Sequence, residues 1–214
     1  MKVSAPAKQE TGAVAHHIAR VAARLFASRG YDATPVRAIV EASGVTKPTL
    51  YYHFKSKEGL AQALLTVPMT RLVARSREVL QESIDPIQRL ERIIEADFAF
   101  CREDPDRARF VYALFFGPLG SSLSAELALF SETLTHLLSE AVRSAAESSL
   151  IDPHRSDEFT AALRGLIVIH TMDFLYRGSE LGPALAHRLV ADLLRGFGKP
   201  SLTPRHPGAA HAGS

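Results

Sequence analysis

Apolar residues recur at helical spacing along nearly the whole chain. Between Ala13 and Arg29, Ile18, Ala22, Leu25 and Phe26 lie four, three and one apart and share one helical face. Gly30 predicts the end of that helix in a left-handed cap, and Tyr31 turns back toward the core. A second, short helix is expected up to Ser43. Thr34 would be its N-cap, Pro35 its first residue, and Val36, Ile39 and Val40 its inward face. Gly44 supplies a turn. Thr46 then caps a third helix from Lys47 to His53, with Pro48 in its first turn and Leu50 and Phe54 as apolar anchors. Ser56 caps a fourth helix, Lys57 to Leu80, which Pro68 should kink or split.

The pattern continues beyond that point. Asp85-Pro86 opens a helix to Arg102, and Glu103-Asp104-Pro105 turns the chain into another that ends at Phe116. Residues 117–121 read as a loop, and a long helix follows from Ser124 to Ser148. Asp152-Pro153 breaks the chain again. The helix expected from Asp157 to Arg177 is apolar over most of its circumference, Gly178 stops it, and a last helix runs from Pro183 to Leu194. The valine and isoleucine runs lie inside helical periodicity, so no strand is expected. The fold class is all-α, with about nine helices. Its division is a flexible arm over 1–12, a three-helix unit over 13–60, a larger helical unit over 61–197, and a disordered tail over 198–214.

Composition narrows the possibilities. The formal net charge is only +2, but it is unevenly placed. Residues 1–60 hold nine Lys and Arg against four Asp and Glu, a net of +5, and the remainder nets −3. The positive end would attract a polyanion. One cysteine, Cys101, excludes an internal disulfide. His16, His17, Arg20 and Arg24 interrupt the apolar stretch near the start, so neither a secretory signal nor a membrane span is expected, and the protein reads as cytoplasmic. There is no glycine-rich phosphate loop, no cysteine cluster and no paired-histidine motif, so no cofactor and no metal is expected.

The third helix carries the chemistry. A helix that enters the DNA major groove must be short, anchored on one face and polar on the other. With Leu50 and Phe54 inward, the outer face holds Lys47, Pro48, Thr49, Tyr51, Tyr52 and His53. Lys47 can donate to guanine, while Pro48 and the Thr49 methyl can pack on thymine methyl groups. Tyr51, His53 and Lys57 have the reach for phosphate oxygens. Arg37 could reach a base edge from the preceding helix, and Thr34 with the first amides there, or Thr46 at the next cap, could meet the backbone.

The string ARLFASRGYDATPVRAIVEASGVTKPTLYYHFKSKEGLAQAL resembles the DNA-binding region of the tetracycline-repressor-like (TetR/AcrR) family of bacterial transcriptional regulators. Phe26, Gly30-Tyr31, Gly44-Val45-Thr46, Leu50-Tyr51, Phe54-Lys55-Ser56-Lys57 and Leu60 carry the likeness. It implies base or groove contacts at Arg37, Lys47, Pro48 and Thr49, and phosphate contacts at Tyr51, His53 and Lys57. Val40 departs from the alanine usual at a tight crossing, and Pro35 from a common threonine.

The resemblance further implies an all-helical homodimer paired through its last two helices, double-stranded DNA with a palindromic operator as partner, and a small-molecule effector held in the larger unit. Candidate lining residues are Phe98, Cys101, Phe110, Tyr112, Phe115, Phe116, Phe130, Leu134, Met172 and Tyr176, which favour a hydrophobic effector. His170 and Asp173, three apart, could form a buried pair or a rim pair. A repressor released by its effector is the leading expectation; an activator or a ligand-independent regulator is the alternative. The scattered histidines could suggest an enzyme, but no nucleophile, base and orienting group converge, so no enzymatic activity is expected. A protein-binding helical scaffold is a further class.

Overall fold

The computed structural model describes residues 6–117 and 122–197, and the expected tail over 198–214 lies outside them. The described residues form nine α-helices, a short 3-10 turn over Pro153–Arg155, and no strand. The helices are α1 (Pro6–Arg29), α2 (Val36–Ser43), α3 (Lys47–Phe54), α4 (Lys57–Gln81), α5 (Pro86–Glu103), α6 (Pro105–Phe115), α7 (Ser122–Glu147), α8 (Ser156–Arg177) and α9 (Pro183–Phe197). None is long and apolar enough to cross a membrane.

Local chemistry sets most boundaries. The side chains of Thr46, Ser56, Asp85 and Asp104 each accept a backbone N–H in the first turn of the helix that follows, satisfying donors that have no intrahelical partner. Gly30, Gly44 and Gly178 end α1, α2 and α8 at φ of 84°, 65° and 76°, a region a side chain rarely enters. Pro68 neither splits nor shortens α4, which remains one helix of 25 residues.

Two expectations at the start of the chain need correction. Residues 6–12 are not an arm: α1 begins at Pro6, because Ala-Lys-Gln-Glu is a run of strong helix formers. Thr34 is not the cap of α2. Pro35 occupies that position without a side-chain bond, and the Thr34 hydroxyl donates backward to the carbonyls of Gly30 (2.7 Å) and Leu25 (3.4 Å).

Apolar burial makes two clusters. The first gathers Ile18, Ala22, Phe26, Ile39, Leu50 and Leu60, among others. The second gathers Leu65, Leu90, Ile94, Phe98, Leu138 and Phe159 with their neighbours. Helix α4 serves both, giving Leu60, Ala61 and Leu64 to the first and Leu65, Met69 and Leu72 to the second. A boundary at residue 60 therefore falls inside one continuous helix. The first cluster is also completed by Phe110 of α6 and Leu123 of α7, so the N-terminal unit does not close on itself.

Candidate nucleic-acid interface and cavity

Helix α3 is fixed from below. Leu50 is fully buried, and Tyr51 and Phe54 are half-buried against the first cluster. The Thr46 Oγ1 accepts the Thr49 N–H at 3.3 Å and lies 2.8 Å from the Thr49 hydroxyl, which holds the start of the helix. Behind it, His17 Nε2 meets the Ser43 carbonyl at 3.1 Å and ties α1 to the end of α2. The opposite face is open: Lys47 and Pro48 are exposed, and Tyr52 is 69% exposed. The Lys47 Nζ sits 5.7 Å from the Tyr51 ring centre, a loose cation–π contact that keeps the ammonium at the surface. His53 is half-buried between Tyr52 and Phe54, with ring centres 5.1 and 6.1 Å away.

Arg37 on α2 is exposed, with its Nε 2.6 Å from Glu41. An exposed pair of this kind contributes little and can be exchanged for another anion. The expected phosphate contacts at Thr34 and Lys57 do not survive as drawn. Thr34 is fully buried, so its hydroxyl cannot meet a phosphate. The Lys57 Nζ donates to the carbonyls of Tyr31 (2.8 Å) and Thr34 (3.1 Å) and lies 4.2 Å from the Tyr31 ring centre. Its charge holds the α1–α2 loop against the start of α4 instead of projecting toward solvent.

A further position was not singled out from the sequence. Lys55 leaves α3 at φ 66°, and Gly59 packs in the next turn with no room for a side chain. A Cβ there would sit 2.2 Å from the Phe54 carbonyl oxygen. We predict that Gly59→Ala costs about 1–3 kcal/mol in chemical denaturation and weakens DNA binding at full folding, because the α3–α4 junction must move. Unchanged stability and affinity would show that the junction relaxes freely.

The larger unit contains a partly open cavity of about 80 Å³ among α4, α5, α6, α7 and α8, room for a handful of waters. Of the ten candidate lining residues, Tyr112, Phe115 and Leu134 lie on its wall. The others are placed differently. Phe98 and Cys101 are packed into the second cluster, and Phe130 and Met172 lie half-buried against it. Phe110 belongs to the first cluster, its ring centre 5.1 Å from Phe26 and 6.4 Å from Tyr31. Phe116 and Tyr176 are 62% and 64% exposed. Helical spacing identified the apolar residues but not which faces of five helices meet. Asp173 pairs with Arg177 at 3.0 Å.

Four polar wall residues were missed: Ser76, Asp97, Ser131 and Arg164. A signal for one existed, since Asp97 interrupts an apolar row of Ile93, Asp97 and Cys101 at four-residue spacing on α5. Burial pushes the Asp97 carboxyl up to about 6, and the charge of Arg164 opposes that rise. Burial also raises the Cys101 thiol and the Tyr112 phenol, with the Asp97 charge adding to both, so they stay protonated. The Thr171 hydroxyl is near both but lacks regular hydrogen-bond geometry to either. An open groove of about 460 Å³ runs between α4 and α5 at Pro68. Leu72 and Phe100 line both spaces, so one layer of side chains separates cavity from groove.

The family model for bacterial regulatory proteins of the tetR family matches residues 18–64. The chain is 37% identical over 91 residues to the HTH-type transcriptional activator FasR of Mycolicibacterium smegmatis, covering 42% of each protein. It is 38% identical over 78 residues to the HTH-type transcriptional repressor KstR2 of Mycobacterium tuberculosis, covering 36% of this chain and 39% of that one. Both matches thus span less than half of the relative. The whole fold resembles the crystal structure of the TetR family regulator PfmR from Thermus thermophilus, with a TM-score of 0.70, 23% identity, and coverage of 83% of this chain and 97% of that one. The helix-turn-helix over residues 18–64 therefore matches the tetR family of bacterial regulatory proteins, and the helices beyond it share the fold of PfmR.

Proposed function

We propose that the protein is a sequence-specific, DNA-binding transcriptional regulator that works in the cytoplasm as a homodimer on a palindromic operator. The observation that carries this reading is α3: buried through Leu50, open through Lys47, Pro48 and Tyr52, and held by caps at both ends. Arg37, Thr46, Lys47, Pro48 and Thr49 would meet bases or the groove wall, and Tyr51, Tyr52 and His53 the phosphates. Dimerisation through α8 and α9 is supported by the apolar surface of α8, where Ile169 is 51% exposed.

Regulation would act through α4. That helix begins at the Lys57 clamp, belongs to both apolar clusters and forms one wall of the cavity. A cavity this small must expand to hold an effector, and the cheapest wall to displace is the Leu72–Phe100 layer. Shifting α4 would then change the spacing of two recognition helices. Release of a repressor by a small molecule is the favoured form; the activator reading is kept because FasR is an activator.

Selection of genomic fragments by the purified protein tests the proposal. The expected result is a two-fold symmetric site bound by two protomers, with affinity that falls steeply as salt rises. Lys47→Ala should weaken binding to that site by about 1–3 kcal/mol without changing the dimer. Recovery of unrelated fragments, or a Lys47→Ala protein that binds as well as the parent, would sink the assignment.

A further inference from the structure

The cavity wall contains one group whose chemistry is unfinished. Asp97 faces a partly open cavity with eleven apolar residues on its wall, among them Ile93, Val111 and Leu138. Among the described residues no donor hydrogen-bonds to its carboxylate. Asp97 is half-buried, so on this largely apolar wall its carboxylate is partly withdrawn from water, and the opposite charge set near it is that of Arg164. Arg164 itself is engaged elsewhere, with one nitrogen donating to Ser131 Oγ at 3.2 Å. A donor brought by a bound molecule would complete the site.

The charge balance of the cavity restricts that molecule further. Asp97 and Arg164 together make a wall of zero net charge. An anion or a cation would be attracted by one of the two and repelled by the other, and would leave its own charge uncompensated on that balanced wall. A neutral molecule meets neither penalty. The remaining wall rewards apolar surface, with Ser131 and Tyr112 beside the charged pair.

We propose that Asp97 is the specificity-determining residue of the effector cavity, accepting a hydrogen bond from the hydroxyl or N–H of a neutral, otherwise apolar effector. Arg164 sets the complementary exclusion, against cations, and can donate to a neighbouring acceptor on the same molecule. This inference rests on the reading of the cavity as an effector site, and adds one polar anchor to the hydrophobic effector expected there.

The test uses four probes on one frame: 4-propylphenol, 4-propyltoluene, 4-propylbenzoate and 4-propylbenzylammonium, titrated calorimetrically into the full chain without DNA. The phenol is expected to bind about ten-fold or more tightly than the other three, as a hydrogen bond to a charged acceptor allows. Asp97→Leu, of similar shape and unable to accept, should bring phenol and toluene to equal affinity; Asp97→Asn should give an intermediate preference. Circular dichroism establishes that both variants fold. Equal binding of phenol and toluene to the parent, a preference for either ion, a phenol preference that persists in Asp97→Leu, or no binding of any probe would each overturn the assignment. Operator affinity is measured separately. A protein that selects the phenol through Asp97 but holds its operator unchanged overturns ligand release alone. One that releases its operator while Asp97→Leu keeps the preference overturns the Asp97 assignment alone.

Discussion

Phe110→Ala is expected to cost about 3–5 kcal/mol in urea denaturation, the range for removing a large, fully buried aromatic side chain. Phe110 is 1% exposed and stacks between the two units: it belongs to α6, yet its ring packs on Phe26 of α1 and on Tyr31. Its loss should reach further than a cavity. The Tyr31 ring also packs edge-on against Phe26 at 5.2 Å, and the Tyr31 carbonyl and ring together hold the Lys57 ammonium. Removing Phe110 frees one side of Tyr31 and thereby loosens the clamp at the start of α4. DNA affinity should therefore fall at temperatures where the variant is still folded. Phe110→Leu, which keeps most of the volume, should cost much less and retain affinity. A loss below about 1 kcal/mol for the alanine variant would mean that the contact between units is dispensable, contrary to the stabilisation expected of a buried aromatic cluster.

Asp97→Asn should do the opposite and stabilise the protein near neutral pH, by about 2–3 kcal/mol at most. The sign follows from the folded-state carboxyl, which is raised from 3.8 to about 6. Between those values the native protein binds more protons at this site than the unfolded chain does. The site's contribution to stability is therefore fully present below pH 3.8 and is lost as pH climbs through about 6. Arg164 of α8 opposes the shift, and Tyr112 of α6 and Cys101 of α5, both protonated, add no charge to it. Asparagine carries no charge, so it removes this loss above pH 6 and changes little in acid. Denaturation curves at pH 4 and pH 7.5 check this: the difference between variant and parent should be small in acid and clear at the higher pH. An equal or reversed difference would show that water or a relaxed wall already solvates the carboxylate. Together with the weaker selectivity expected of the same variant, a gain in stability would separate a binding role from a packing role.

The boundaries that local chemistry dictates were legible in the sequence. Thr46, Ser56 and Asp85 cap helices where their side chains and the following proline or polar turn say they should, and Gly30, Gly44 and Gly178 stop helices in the left-handed region. These decisions use residues within four positions of one another, so the sequence contains all their terms. The failures share the opposite character. Thr34 looks like a cap locally, yet its hydroxyl is taken by the end of α1. Lys57 looks like a free phosphate donor, yet two carbonyls 26 and 23 residues earlier occupy it.

The amino-acid sequence by itself determined an all-helical chain, the helix-turn-helix with Leu50 inward and Lys47 and Tyr52 outward, and the positive end that carries it. Periodicity records which face of a helix is buried, and charge adds along the chain whatever its fold. Only the tertiary structure decided what each buried face meets. It placed Phe110 against the DNA-binding unit and not in the cavity, made α4 a member of both cores, and brought Asp97 of α5 and Arg164 of α8 to one cavity wall. Those outcomes depend on how helices distant in sequence pack, and on desolvation, which acts on a carboxylate only after its neighbours have closed around it.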